Sequence, residues 1–200
     1  MSHSHQLVSL AFSVLLLSSC AAPSRQFPTV APGQLFEGGY INVKAPNSQG
    51  WRMAESSTTG MAFGKAGRAQ GETLAAQLLM FELQPTQTSE QFVALMKEGL
   101  QKDTDPIRFD IIESSSDYAS ERGYPCVRHH ALVSDKAAQT SPATKEQLLL
   151  ETRALYCRHP VRTNTGFAAI YSHRGRSRYP SLAEEAQDFL QGIQVPSRNP

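Results

Sequence analysis

The sequence lacks the features that mark several large classes of protein. Its 200 residues include only three cysteines and one tryptophan, so a cysteine-rich scaffold is not predicted. Beyond the N-terminus no run of 18 apolar residues occurs, and no later transmembrane helix is expected. Acidic and basic residues nearly balance at a formal net charge of +1, which argues against a general nucleic-acid binder. There is no internal repeat.

Motifs of the common catalytic classes are missing as well. There is no Gly-x-Ser-x-Gly element, the turn that exposes the nucleophile of many serine hydrolases. The stretch from Gly64 to Gly71 is rich in glycine but contains no Gly-Lys-Ser/Thr, so it predicts a hairpin turn and not a phosphate-binding loop. We therefore expect no catalytic residues, no cofactor and no enzymatic activity.

What the sequence does have is an N-terminus that resembles a bacterial lipoprotein precursor. The apolar run Leu7–Leu17 has 11 residues, which suits a signal peptide, whereas a membrane-spanning helix needs about 20. Leu17-Ser18-Ser19-Cys20 follows the lipobox order of an aliphatic residue, two small residues and a cysteine. The leader contains two histidines but no Lys or Arg.

This resemblance implies a membrane anchor at Cys20. The cysteine of such precursors receives diacylglycerol and acyl chains such as palmitate, and a signal peptidase cuts before it. Two or more chains anchor stably, because each buried methylene contributes about 0.8 kcal/mol. Ala21 in place of Asp favours the outer membrane, facing the periplasm. The alternatives are an ordinary secretory signal and a buried helix, which Pro23 would end.

The chain is then expected to have three parts. Residues 1–19 form the signal peptide, and residues 20–38 the lipidated cysteine with a tether rich in Pro and Gly. Residues 39–196 form a single domain, which is long enough to bury a core.

The two remaining cysteines, Cys126 and Cys157, are predicted to form a disulfide, since exported proteins fold in an oxidising compartment. Two apolar runs flank the polar stretch 134–147. If these runs form an antiparallel hairpin with the cysteines opposite each other, its centre falls between Ser141 and Pro142, inside that stretch. Closing such a loop would stabilise the fold by roughly 3–4 kcal/mol.

A metal site is the competing interpretation, because His129, His130 and His159 lie near these cysteines in sequence. Strand geometry argues against it. On one strand Cys126 and His129 point to opposite faces, and Cys126 and His130 lie about 13 Å apart. We therefore expect no metal.

Sequence patterns predict strands interrupted by two helices. Extended segments are expected at 40–43, 51–54, 60–63, 73–83, 107–113, 118–121, 124–133, 147–158 and 166–172, with a turn at 114–117. One helix begins at Thr88, where Gln91 completes a capping box; a second follows Ser181 and Glu184. This order predicts an α+β fold with a mainly antiparallel sheet flanked by helices.

The domain also resembles the PsbP/Mog1 group. An early strand, residues 40–46, leads through Pro46 into Gly50-Trp51, and a helix near Ser89-Glu90-Gln91-Phe92 separates two sets of hairpins. The resemblance would cover residues 38–195. It implies an α/β/α sandwich and a non-catalytic binding or assembly role.

Charge is unevenly distributed along the chain. Residues 82–121 are acidic on balance, whereas 151–180 hold six arginines against one acid, Glu151. A basic face could bind an envelope protein, anionic lipid or cell-wall polymer, although solvated arginines are the simpler interpretation. The candidate binding residues are Arg158, Arg162, His173, Arg174, Arg176 and Arg178.

These observations favour a membrane-anchored binding or assembly module without catalytic activity. One alternative is an envelope hydrolase that uses Ser172, His173 or the His129-His130 pair. The other is a purely structural lipoprotein.

Overall fold

The protein has an α+β fold, which confirms the predicted fold class. The computed structural model describes residues 27–137, 139–141, 144–145, 147–162 and 164–196. The strands are β1 (Leu35–Gly38), β2 (Ile41–Lys44), β3 (Arg52–Ser56), β4 (Gly60–Ala66), β5 (Thr73–Glu82), β6 (Phe109–Ala119), β7 (Cys126–Asp135), β8 (Gln139–Ser141), β9 (Thr144–Lys145), β10 (Leu148–Arg158), β11 (Thr165–Gly175) and β12 (Ile193–Gln194). The helices are α1 (Ser89–Asp103) and α2 (Leu182–Gln191).

Seven strands form one antiparallel sheet in the order β3-β4-β5-β11-β10-β7-β6. A small sheet, β1-β2-β12, brings the two ends of the domain together, and β8 pairs with β9 within the connection from β7 to β10. None of the described helices is long and apolar enough to cross a membrane.

The large sheet is covered on both faces. On one face α2 and the small sheet bury the main core, in which the Tyr171 ring lies 5.7 Å from Trp51 and 5.9 Å from Phe189. On the other face α1 buries Phe92 and Met96 against Val127. The apolar face of each helix therefore contacts the sheet.

The predicted cysteine hairpin is present. Strands β7 and β10 pair antiparallel, with Cys126 opposite Cys157 and their Cα atoms 4.0 Å apart, and the two form a disulfide. Both cysteines are buried in the main core. The bridge thus joins two central strands under α2.

The two predicted capping boxes differ. At α1 the Thr88 hydroxyl accepts a hydrogen bond from the Gln91 backbone N–H at 3.2 Å. The Gln91 side chain accepts one from Gln87 N–H at 2.8 Å, one residue before the expected donor. At α2 the box is not formed: the Ser181 side chain makes no capping bond. Its φ of −86° and ψ of 1° lie outside the extended conformation that N-caps usually adopt.

Two predictions were wrong: the turn at 114–117 and the start of the domain at residue 39. The turn expected at 114–117 is part of the continuous strand β6, where Ser114 pairs with Ala131 and Asp117 with Arg128. Pairing along all of β7 overrides the turn preference of three serines and an aspartate. The domain also begins before residue 39, since Val30 is buried in the core and β1 pairs with β2. Cys20 and the signal peptide lie outside the described residues.

Candidate binding cleft

A cleft of about 760 Å³, here called the α2 cleft, lies between α2 and strands β6, β7 and β10. Its floor is polar and charged, whereas the helix supplies small, apolar and amide side chains. The floor includes Ser115, Asp117, Arg128, His130, Arg153 and Leu155, and the helix wall is Ala183, Ala186, Gln187, Leu190 and Gln191. A partly apolar cleft with converging polar groups is the usual form of a binding site.

Strand register brings these floor residues together. Every second residue of a strand points to the same face, so on β7 the side chains of Cys126, Arg128 and His130 all point toward α2. His130 lies opposite Arg153 on β10 and opposite Ser115 on β6. The register that pairs the two cysteines therefore also assembles the floor of the cleft.

A buried acid connects the two basic side chains at the centre of this floor. Glu151 has only 6% of its surface exposed, and its Oε1 lies 3.0 Å from His130 Nε2. Arg153 Nη2 is 3.8 Å from the same oxygen, beyond hydrogen-bonding distance. The Nε of Arg153 is buried and has no hydrogen-bond partner in the described structure. One donor on the cleft floor is thus unsatisfied.

The rim of the cleft is fixed to the end of α2. Arg122 donates hydrogen bonds to the carbonyls of Leu190, in the last turn of α2, and Ile193, in β12. The last turn of α2 contains no basic residue, so Arg122 supplies the positive charge that favours a helix C-terminus. Beside it, Arg128 pairs with Glu121.

The start of α2 is held by a carboxylate that two tyrosines share. Glu185 accepts hydrogen bonds from Tyr171 Oη at 2.6 Å and from Tyr179 Oη at 2.7 Å. Burial, and then the Glu185 carboxylate, raise the pKa of Tyr171. The hydrogen bond to Glu185 likewise raises the pKa of Tyr179. These bonds fix the helix that forms the wall of the cleft.

The six candidate binding residues predicted from sequence do not form one surface, because they lie at two ends of the sheet. Arg158 and Arg162 are near the disulfide end of the sheet, and His173 to Arg178 are near the other, where His173 and Arg174 lie roughly 25 Å away along β11. Arg158 binds Thr86 Oγ1 at 2.9 Å and so holds the connection before α1. The Arg162 guanidinium lies 4.1 Å from the centre of the Tyr40 ring.

At the second end, most of the candidates are engaged within the protein. Arg174 Nη1 is 3.5 Å from Asp135 Oδ2, and Arg178 pairs with Glu113. Arg176 is exposed and also has an interaction within the protein. His173 is only 1% exposed and lies 2.8 Å from Glu72 Oε1, so contact with a partner would require the fold to open.

The serines and histidines of the hydrolase hypothesis are separated by the sheet. His129 and His130 point to opposite faces, as do Ser172 and His173. His129 borders the α2 cleft and also a second groove of about 290 Å³, between α1 and the sheet, here called the α1 groove. Its Nδ1 is 2.9 Å from Ser116 Oγ, and burial lowers the pKa of the imidazole.

Metal ligation finds no support in the described part of the chain, where no group of three His, Cys, Asp or Glu side chains could hold an ion. The residues that sequence reasoning missed are those of the α2 cleft. The pairing of His130 with Arg153 follows from the predicted hairpin register, but the helix that covers them is remote in sequence. Register alone thus identifies the floor and not the wall.

Comparisons with known proteins found similar structures but no matching family model and no matching curated protein. The Ran-binding protein Mog1p of Saccharomyces cerevisiae is 12% identical, with a TM-score of 0.48, covering 83% of this chain and 96% of that one. A point mutant of protein Mog1 is 13% identical, with a TM-score of 0.47 and coverage of 85% and 96%. A Bacteroides thetaiotaomicron protein is 11% identical, with a TM-score of 0.35 and coverage of 84% and 50%.

Proposed function

We propose that this protein is a membrane-tethered, non-catalytic binding module of the cell envelope, and that its α2 cleft holds part of a partner protein. The observation that carries the proposal is the buried, unpaired Nε of Arg153 on the cleft floor. Lipid on Cys20 would hold the module at the membrane, most favourably the outer one.

The unpaired Arg153 donor favours a ligand that brings an oxygen acceptor. A buried donor without a partner costs about 1–3 kcal/mol, so a carbonyl or carboxylate placed beside Nε would recover that free energy. The Gln187 and Gln191 side chains of the helix wall and the Ser115 hydroxyl on β6 offer further donors and acceptors around it. Such a site suits a polypeptide, which carries oxygen acceptors on every residue.

The arginines predicted from sequence have a secondary role in this proposal. Arg178 pairs with Glu113 on β6, so it lies beside a strand that borders the cleft. Arg176 and Arg178 are exposed at this end of the sheet and could extend the contact surface. Arg158 and Arg162 lie near the far end and would contact only a long partner.

Site-specific photo-crosslinking in living cells tests the proposal directly. A photoreactive amino acid replaces Gln187, on the helix wall of the cleft, in the full-length protein with its own N-terminal segment. The matched control replaces Gln84, an exposed glutamine in the connection before α1. We expect an adduct with another protein from position 187 and none from position 84.

The role of Arg153 is tested in the same cells. Arg153→Met keeps an unbranched, largely apolar stem but removes every donor, and we expect it to lower the adduct yield about tenfold, the effect of 1.4 kcal/mol. Unfolding of the purified variant in urea checks that the fold is retained. No adduct at position 187, or equal adducts at 187 and 84, would refute the proposal.

An envelope hydrolase is the second candidate, favoured by the contact between Ser116 Oγ and His129 Nδ1. A serine activated in this way should react with a fluorophosphonate probe. Labelling of the wild-type protein that is lost in Ser116→Ala but kept in Ser114→Ala would support this candidate. An unlabelled wild-type protein would exclude a serine nucleophile of this type.

A further inference from the structure

The two edges of the seven-stranded sheet are covered differently. Along β3 the N-terminal segment of the domain pairs with the edge: Met53 N–H donates to Pro28 O at 2.9 Å, and Val30 N–H donates to Trp51 O at 3.0 Å. Along β6, no strand within the described ranges pairs with the outer side. The backbone of β6 therefore presents unpaired donors and acceptors to solvent over much of its 11 residues.

Exposed apolar side chains are concentrated along β6. Ile111 is 61% exposed, Ile112 52% and Tyr118 43%, and Ile107, just before the strand, is 86% exposed. They are four of the eight large apolar residues that are exposed in the described chain. Natural edge strands are commonly protected by lysine, proline or a β-bulge; β6 contains no lysine or proline, and its register shift lies between Ile111 and Glu113, so pairing is regular from Glu113 to Ala119. An exposed apolar edge of this length is typical of an interaction site.

Each face of β6 borders one of the two grooves. Ser115 and Asp117 line the α2 cleft, whereas Ile111, Ser114 and Ser116 line the α1 groove. Because successive side chains of a strand point to opposite faces, a strand added to β6 would direct alternate side chains toward the two grooves. Edge pairing would supply affinity through the backbone, and the grooves would select the side chains.

Charge indicates what kind of strand fits. Acidic residues lie on or beside the β6 face that borders the α2 cleft, and Asp117 has no ion-pair partner among the described residues. Glu113 and Glu121 pair with exposed arginines of the chain itself. A second copy of β6 would place like charges near each other, which is unfavourable between neighbouring strands. A strand with basic residues on this side is complementary.

We propose that β6 is a docking strand, to which an extended segment of a partner protein adds as an eighth strand. In that segment basic residues lie opposite Asp117 at the rim of the α2 cleft, two strands away from Arg153 on β10, and apolar residues between them face Ile111 and the α1 groove. This inference rests on the proposed function and specifies how the partner binds.

Photo-crosslinking at the edge itself tests the inference. A photoreactive amino acid replaces Ile112 in the full-length, membrane-tethered protein, and the control replaces Val161, which is 43% exposed in the connection between β10 and β11. We expect an adduct from position 112 with a different protein, at a segment that alternates basic and apolar residues. The control position should give none.

Two further variants and one peptide pair show whether the contact is strand addition. With the crosslinker at 112, Ile111→Lys should lower the adduct yield about tenfold, because the added strand would bury a charged side chain against its apolar residues, whereas Val161→Lys should leave it unchanged. A blocked synthetic peptide of alternating lysine and valine should protect β6 amides from hydrogen exchange. The same peptide N-methylated at alternate residues, which cannot complete the ladder, should not.

The outcomes separate this inference from the proposed function. An adduct at 187 without one at 112 leaves the cleft proposal intact and refutes the docking strand. No adduct at either position refutes both. Self-adducts at 112 would show that a second copy occupies the edge, and a yield unaffected by Ile111→Lys would exclude an added strand whose apolar residues face Ile111; either result overturns the inference.

Discussion

Asp135 lies at the end of β7 with its side chain fully buried, and arginines compensate its charge. Arg108 donates two hydrogen bonds to it, at 3.0 and 2.8 Å, and Arg174 lies 3.5 Å away. The Arg108 bonds hold the pKa of the Asp135 carboxyl below its usual value. Because folding lowers this pKa, the stabilisation is present above about pH 4, the unfolded pKa, and is lost as the pH falls.

We therefore expect Asp135→Asn to lower the free energy of unfolding by about 2–3 kcal/mol at pH 7, since charged hydrogen bonds are lost in a buried site. The loss relative to wild type should shrink below pH 4. Asp110→Asn is the control, because Asp110 is exposed and its ion pair within the described residues is with Lys136; it should change stability by less than about 0.5 kcal/mol. Urea titrations at pH 7 and pH 3 measure both. Equal effects of the two variants would contradict the prediction.

Tyr171 should make stability depend on alkaline pH. Burial and Glu185 raise the pKa of its hydroxyl, so the stabilisation is complete below the unfolded pKa of about 10 and decreases as the pH rises above it. Each proton retained on folding adds a slope of about 1.4 kcal/mol per pH unit. Tyr171→Phe should cost about 1–2 kcal/mol at pH 7 and reduce the decline between pH 10 and 11. Denaturant titrations that show the same decline in both proteins would contradict this.

At the scale of elements, the two helix N-termini make a matched comparison. Thr88→Ala removes a capping hydrogen bond and should destabilise the protein by about 1 kcal/mol. Ser181→Ala removes a hydroxyl that makes no capping bond and should change stability by less than about 0.5 kcal/mol. Thermal and urea unfolding of both variants measure the difference. A larger loss at Ser181 than at Thr88 would show that the capping geometry is wrong.

Elements whose stability is local could be predicted from sequence. The α1 start follows from Thr88 and Gln91, and the β7–β10 hairpin follows from two apolar runs around a polar connection. The disulfide follows in turn, because hairpin register fixes which residues lie opposite each other.

Features that depend on contacts between residues remote in sequence could not be predicted from the sequence. Residues 114–117 form a strand only because β7 supplies a ladder, and β1 is ordered through β2 and the C-terminal β12. The α2 cleft combines a floor from three strands with a helix about thirty residues further along the chain. Neither composition nor periodicity contains this packing, so the cleft was absent from the predicted sites.

At the scale of the molecule, folding partly cancels the charge asymmetry of the sequence. The basic segment 151–180 and the acidic segment 82–121 meet where Arg178 pairs with Glu113, and Arg158 reaches the connection before α1. A uniformly basic face is therefore absent from the residues described here. The described surface has instead an edge strand between two grooves. Such a surface suits a polypeptide segment as binding partner better than an anionic membrane or polymer.

The proposed membrane tether predicts different roles for the three cysteines. Cys126 and Cys157 are joined, which leaves Cys20 for lipid. An alkyne analogue of palmitate should label the wild-type protein and Cys126→Ser but not Cys20→Ser, and only the labelled proteins should remain in the membrane pellet after a carbonate wash. Acyl chains resist the wash because each buried methylene contributes about 0.8 kcal/mol, whereas carbonate removes proteins held by charge. Label that persists in Cys20→Ser, or a wild-type protein found in the soluble fraction, would refute the lipobox assignment.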